Sequence, residues 1–468
     1  MSAVPSATLA ADLAALLGTD AVVSGAALAL RSVPSWAGTM RAQVLVRPNS
    51  VAQLSSLLQY CYSRSQPVVA QGGLSGLVHG AETLPHHLAV SLERFNQIES
   101  IDPLGRTMRV QAGVTMAAAQ QAAVEQGLKF PVDLGGRDSA TIGGNIATNA
   151  GGVQVLRFGM MRQSVLGLEA VLADGSVVTS LNRMLKNNAG YDLKQLFIGS
   201  EGTLGIVTRA ELRLVPQPRS CDTALLALAD FAALTRTLAM LDAELAGNLT
   251  SFEAMWGDYY ELNTTAPSLH KPPLPHGASL YALVETQGAA PLRDREMLEG
   301  ALAHAIEAGD IQDCVLAKSE NERRAMWQIR EDFALGGRHG PLLTFDVSLP
   351  IVAMPDYVAT VRAALAAHFT APLICVFGHV ADGNLHLCIG AGSKDDAVRE
   401  RVERCVYEPL QTLGGSVSAE HGIGLEKRAY LEISRSPNEI ALMRTLKSAL
   451  DPRGILNPGK VLPPAAAH

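Results

Sequence analysis

Apolar positions along the chain alternate or recur at three and four residues, and Gly and Pro break them into short blocks. Residues 6–17 read as a capped helix. A short strand begins at Ala42 and ends in a turn at Arg47-Pro48-Asn49. Ser50 can then cap a helix over 51–64. A buried strand at 67–70 runs into Gln71-Gly72-Gly73-Leu74-Ser75-Gly76. Further strands are expected at 87–92, 107–112, 167–172 and 176–179, one or two more lie within 203–216, and a helix covers 117–125. Pro216 and Pro218 mark a boundary. Beyond it, helices at 230–247, 291–309, 320–336 and 355–369 alternate with strands at 222–228, 279–286, 313–318, 343–349 and 373–378. Residues 267–275 are a proline-rich loop, and helices return in the last sixty or so residues. There is no internal repeat.

The chain has 468 residues, room for two or three domains, and its 48% hydrophobic and 18% charged content is that of a globular protein. The formal charge of -7, without a basic block, argues against nucleic acid as a partner. Cysteines at 61, 221, 314, 375, 388 and 405 form no CxxC pair. They read as free thiols of a reducing, cytoplasmic protein, not as cluster ligands. The N-terminus lacks a basic n-region, and no apolar run is long enough to span a membrane.

Three glycine-rich segments carry candidate chemistry. Residues 72–76 follow a strand, where backbone amides can cradle a phosphate, although a plain tight turn fits as well. Neither a GxGxxG opening a helix nor a GxxxxGK[ST] loop occurs. Pro131 to Gly152 is dense in Gly and Ala, as a backbone wrapping a large flat ligand requires. Residues 199–208 lead into a strand whose start can reach a ligand edge.

The order QGGLSGLVHG, TIGGNIATNAGG, IGSEGTLGIVT resembles the vanillyl-alcohol-oxidase-type (PCMH-type) FAD proteins. Within them the chain is most similar to D-lactate, glycolate and D-2-hydroxyglutarate dehydrogenases, over about residues 40–463. The resemblance implies an α+β fold. A two-part PCMH-type FAD-binding domain (37–217) follows an N-terminal helical segment (1–36). A substrate or cap domain (218–425), with an antiparallel sheet flanked by helices, comes next, and a C-terminal segment (426–468) returns to the FAD domain. It also implies non-covalent FAD held by Gln71, Gly72, Gly73, Leu74, Ser75, Gly76 and Leu77. Pro131, Leu134, Gly135, Ser139, Thr141, Ile142, Gly144, Asn145, Thr148 and Asn149 would lie along the cofactor. Glu201, Gly205 and Val207 would lie near its adenine and ribose, and Asn457 would return to the flavin. Leu74 and His79 depart from the pattern, replacing a polar residue and a glycine, and His79 does not match the family's flavin-tethering histidines.

Phe377-Gly378-His379-Val380-Ala381-Asp382-Gly383-Asn384-Leu385-His386 reads as a strand, a turn and a return strand, and Glu420-His421-Gly422-Ile423-Gly424 follows later. Two imidazoles and a carboxylate can hold a divalent metal with open positions. Two core histidines and a capping glutamate satisfy the spacing equally. The resemblance favours the metal: it implies His379, His386 and Glu420 as ligands, zinc before manganese, with His421 as general base. It implies that Arg330 holds the substrate carboxylate, where spacing alone suggests a surface ion pair. Asn384 shapes the turn or meets substrate.

Where the diacid-oxidising members carry polar groups, this chain has Thr344, Ala334 and Cys388. A second substrate carboxylate would then be buried without a partner, which favours a D-lactate-like monocarboxylate. An electron-transferring flavoprotein, a quinone or a cytochrome would accept the electrons, and a homodimer is allowed. The competing readings are an oxygen-using oxidase, the FAD subunit of a glycolate-oxidising complex, a metal-dependent hydrolase and a non-enzymatic FAD binder.

Overall fold

The computed structural model describes residues 6–31, 33–268, 270–332 and 338–464. It divides into two compact units. Met1–Gly152, Gly159–Gln217 and Glu420–His468 form the first; Val153–Phe158 and Pro218–Ala419 form the second. The sequence reading returns the chain to the first unit at 426. The observed division comes earlier, at Glu420, and puts the whole Glu420–Gly424 segment in the first unit.

In the first unit, Ser50 accepts a hydrogen bond from the Gln53 amide and starts the helix Val51–Arg64. Its buried face, Leu54, Leu57, Leu58 and Cys61, follows the three-and-four spacing and joins Leu9, Leu13 and Leu17 of the helix Ser6–Leu17 in one core. Strands β1 (Val22–Ser24), β2 (Val44–Val46), β3 (Val68–Gln71) and β4 (Leu88–Ser91) form a sheet in the order β1-β2-β4-β3. Strands β2, β4 and β3 run parallel. Such a sheet is covered on both faces, which suits the unbroken burial of β2 and β4.

The strands that follow are β5 (Ile98–Asp102), β6 (Thr107–Gln111), β7 (Leu128–Lys129), β8 (Val165–Val171), β9 (Val177–Ser180), β10 (Ile206–Arg213) and β11 (Val215–Pro216). An antiparallel sheet has the order β5-β6-β10-β8-β9, and β7 pairs with β11. Between β7 and β8, the wrapping backbone expected from 131–152 contains a helix, Ile142–Thr148, capped by the Thr141 hydroxyl. Two consecutive glycines near its start weaken the helical signal in sequence.

The second unit contains β12 (Ser220–Leu228), β13 (Leu249–Trp256), β14 (Leu280–Gly288), β15 (Ile311–Leu316), β16 (Leu343–Ser348), β17 (Leu373–Gly378) and β18 (Asn384–Gly390). These make one antiparallel sheet in the order β15-β12-β14-β13-β17-β18-β16. Helix Pro291–Glu307 packs on β12 through Leu298, Ala301, Leu302 and Ala305, spaced at three and four. The sequence reading missed β13, the middle strand of this sheet. The helix expected at 320–336 is observed as Glu320–Arg330, and residues 333–337, including Ala334, lie outside the described residues. No helix among the described residues is long and apolar enough to cross a membrane.

Candidate active site

A cleft of about 990 Å³, counting its open mouth, lies in the first unit. One wall is Gln71, Gly72, Gly73, Leu74, Ser75 and Gly76, leaving β3. Thr141, Gly144, Asn145 and Thr148, from the short helix and its cap, form another. Glu201, Gly205 and Val207 lie ahead of and within β10, and Asn457 closes the lining. His421 lines the same cleft.

Of the other residues implied by the resemblance, Leu77, Pro131, Leu134, Gly135, Ser139, Ile142 and Asn149 fall outside this lining. Ile142 is fully buried in the core, and Leu134 packs against that core. Asn149 ends the short helix in a left-handed conformation, its Oδ1 accepting from the Arg162 amide at 3.0 Å. Pro131 is buried, whereas Leu77, Gly135 and Ser139 are exposed. Ser139 takes part through its backbone: a Cβ on Gly73 would stand 1.6 Å from its carbonyl oxygen. Gly73 therefore lets two loops touch, while a Cβ on Gly76 would meet no protein atom within 4 Å. Sequence reasoning missed Ala112, Ala147 and Gly202 in the lining; their small size is the one signal they share.

The two departures both adopt positive φ, +54° at Leu74 and +58° at His79, a region that favours glycine. His79 sits between carboxylates, 3.7 Å from Glu82 and 3.5 Å from Glu426.

The C-terminal tail completes the cleft. The Asn457 amide donates to the Val68 carbonyl at 2.8 Å, Oδ1 accepts from Ala70 at 2.9 Å, and Nδ2 donates to the Glu201 carbonyl at 2.5 Å. The Glu201 carboxylate, implied as a cofactor contact, accepts from the Ile423 and Gly424 amides at 2.7 and 2.8 Å. Burial raises its pKa against the pull of those amides. Glu201 thus anchors the backbone that follows His421. Glu420 accepts from the Gly152 amide at 2.6 Å.

Asn145 Nδ2 is buried in this lining without a hydrogen-bond partner among the described residues. A donor so placed, walls of small residues and backbone amides suit a large planar cofactor with a pyrophosphate.

In the second unit, His379 and His386 bracket the β17–β18 turn. Their ring centroids are 5.2 Å apart at 81°, and a nitrogen of each lies within 4.8 Å of one on the other. Asn384 Nδ2 donates to the Val347 carbonyl at 2.9 Å, which shapes the hairpin, while Oδ1 is buried without a partner among the described residues.

Glu253, on the missed strand β13, joins two of the expected residues. Its Oε1 lies 2.7 Å from His379 Nδ1, and its Oε2 accepts from Arg330 Nε at 2.9 Å. Burial opposes ionisation of Glu253, but the His379 ring and the Arg330 guanidinium outweigh it and hold its pKa below the usual carboxylate range. Arg330 is itself buried, with its guanidinium carbon 4.7 Å from the Phe377 ring centroid. The surface ion pair suggested by spacing alone is not its role: its partner is the buried Glu253. Its Nη2 is 2.7 Å from the same Glu253 oxygen but makes no well-directed hydrogen bond. Thr344 is exposed and lies opposite the half-buried Cys388 across β16 and β18.

Among solved structures, p-cresol methylhydroxylase with substrate bound shares the fold at a TM-score of 0.76, with 17% identity over 98% of this chain and 97% of that one. Alkyldihydroxyacetonephosphate synthase gives 0.71, with 18% identity over 89% of this chain and 77% of that one. The fold is shared with both. An FAD binding domain model matches residues 42–180, and a model of FAD linked oxidases, C-terminal domain, matches 217–461. The mitochondrial D-2-hydroxyglutarate dehydrogenase of Bos taurus is 38% identical over 92% of this chain and 78% of its own length. The D-2-hydroxyglutarate dehydrogenase of Xanthomonas citri pv. viticola is 38% identical over 88% of both. The chain belongs to the FAD-linked oxidase family.

Proposed function

We propose that this FAD-dependent oxidoreductase converts a D-2-hydroxy acid to its 2-oxo acid. The observation that carries the reading is His421, an imidazole in the lining of the glycine-walled cleft of the FAD-binding unit. Bound there, FAD supplies the acceptor for the hydride leaving C2. Gln71–Gly76, Thr141, Gly144, Asn145, Thr148, Gly205, Val207 and Asn457 are the residues assigned to hold it. His421 takes the hydroxyl proton, a role suited to imidazole at neutral pH. Arg330 holds the substrate carboxylate, a role suited to a guanidinium fork. Asn384 and Thr344 are assigned to the substrate's surroundings.

His379, His386 and Glu420 are the proposed ligands of a divalent metal, zinc first and manganese second. The two imidazoles at one hairpin, with His379 Nδ1 braced by a carboxylate, suit such an ion. The metal would supply Lewis acidity toward the substrate hydroxyl.

For the substrate, the names of the relatives favour D-2-hydroxyglutarate. A second reading, a D-lactate-like monocarboxylate, rests on Thr344 and Cys388. Arg338, the cation before Thr344 in sequence, already pairs with Asp332 and does not stand ready for a second carboxylate. The acceptor is assigned to the class of electron-transferring flavoprotein, quinone or cytochrome. The cysteines form no disulfide among the described residues, which fits the reducing, cytoplasmic setting we assign.

An anaerobic screen of D- and L-2-hydroxy acids, following loss of visible flavin absorbance before and after chelation, tests the reading. Bleaching by D-acids alone, suppressed by chelator and restored by zinc, is expected. Failure of every 2-hydroxy acid to bleach the flavin overturns it. The ratio of kcat/KM for D-2-hydroxyglutarate and D-lactate decides between the substrates, and steady peroxide formation in air would mark an oxidase.

A further inference from the structure

We infer that Glu253 is a positioning residue that sets the metal-binding imidazole and the substrate-binding guanidinium with a single carboxylate. The inference rests on the roles proposed above for His379 and Arg330. Glu253 is 1% exposed and sits on β13, between β14 and β17. One oxygen meets His379 Nδ1 at 2.7 Å, and the other meets Arg330 Nε at 2.9 Å. Both partners are buried, and Arg330 is further fixed by Phe377 beneath it and by the Tyr259 hydroxyl on its carbonyl at 2.9 Å.

With Nδ1 held by a carboxylate, Nε2 is the nitrogen that His379 would give a metal, as in carboxylate–histidine–metal arrangements. The same carboxylate pairs with the Nε and Nη2 edge of the Arg330 guanidinium, at 2.9 and 2.7 Å, and so fixes the plane in which the guanidinium meets an incoming carboxylate. A neutral amide cannot serve both partners. If a glutamine turned its NH2 to His379, Nδ1 would have to accept and Nε2 would carry the proton, which blocks ligation. If it turned its NH2 to Arg330, two donors would face each other. A carboxylate that merely neutralised a buried Arg would touch only the guanidinium half of this arrangement.

The test compares wild type, Glu253→Gln and Glu285→Gln as full-length, FAD-loaded protein. Glu285 is an equally buried acid of the same sheet, held by Thr223, Arg323 and Trp327, and controls for loss of a buried charge. Zinc affinity of chelator-stripped protein, by competition with a chromophoric chelator, is expected to weaken about 10–100-fold in E253Q. KM for the best D-2-hydroxy acid at saturating zinc is expected to rise on the order of tenfold, with kcat falling less. E285Q should move neither. Should E253Q fail to fold, Glu253→Asp retains the charge but shortens the reach, and the same paired shift is expected at smaller size. Zinc affinity and KM both within twofold of wild type, or a shift in only one of them, overturns the inference. Wild type that binds no zinc, or whose zinc affinity ignores His379→Ala, instead overturns the metal reading and this inference with it.

Discussion

His421 is one side chain in a cleft whose walls come from other segments, so its replacement by Ala should remove the base and leave the cofactor walls intact. The expected result is a fall in kcat of about 10²–10⁴-fold with unchanged flavin content, read from anaerobic flavin reduction. His87 offers a pH test. Its Nδ1 accepts from the Leu84 amide at 3.1 Å, which requires a neutral ring, and burial, with His86 and Lys460 nearby, lowers its pKa from 6.5 to about 4. As pH falls from 6.5 to 4, the unfolded chain takes up a proton that the folded chain refuses. Stability from this group is therefore complete above that window and lost on descending through it, by roughly 1–2 kcal/mol. His87→Asn keeps the acceptor and should flatten this part of the Tm–pH curve. Single residues were legible where a motif carried them, as with His379, His386 and Asn457. Glu253 was not: one acid within the mixed segment Leu249–Trp256 gives no pattern until the fold brings Arg330 and His379 to it.

Among elements, the helix Val51–Arg64 and most strands followed from periodicity and turn residues, because each has a one-sided core face or a continuous apolar run. The helix Ile142–Thr148 was hidden because Gly143 and Gly144 are poor helix formers, kept here by contacts across the loop: a Cβ on Gly143 would meet Ala112 Cβ at 2.6 Å. The glycine loop after β3 was legible as a loop, but its glycines do different jobs. Gly73→Ala forces Cβ into the Ser139 carbonyl and should destabilise the apoprotein by more than about 3 kcal/mol. Gly76→Ala meets no protein atom, so it should leave apoprotein Tm unchanged and weaken only FAD binding. Thermal melts with and without added FAD check both, and a Tm loss in stripped G76A protein would contradict the second.

For the whole chain, the passage to the second unit falls at Pro218, beside the Pro216 and Pro218 pair that marks a break in the sequence. The return at Glu420 and the passage of Val153–Phe158 through the second unit were not, because crossings of this kind leave no compositional mark. The tail is bound to β3 by Leu456 and Asn457, with Asp451 accepting from the Ile455 and Leu456 amides. Deleting residues 451–468 should therefore yield colourless protein with a lowered Tm, measured by flavin content per chain and by calorimetry. A yellow truncation product would show that the tail is dispensable to the cleft.

The division of the chain also orders its birth on the ribosome. The unit begun first is finished last, since Glu420–His468 belongs to it. Synthesis proceeds at about 5–20 residues per second, so its nascent cradle waits tens of seconds, open and cofactor-free, while the intervening unit emerges. Chaperones and flavin supply should therefore govern the yield of this enzyme more than they would for one whose cofactor-binding unit is contiguous.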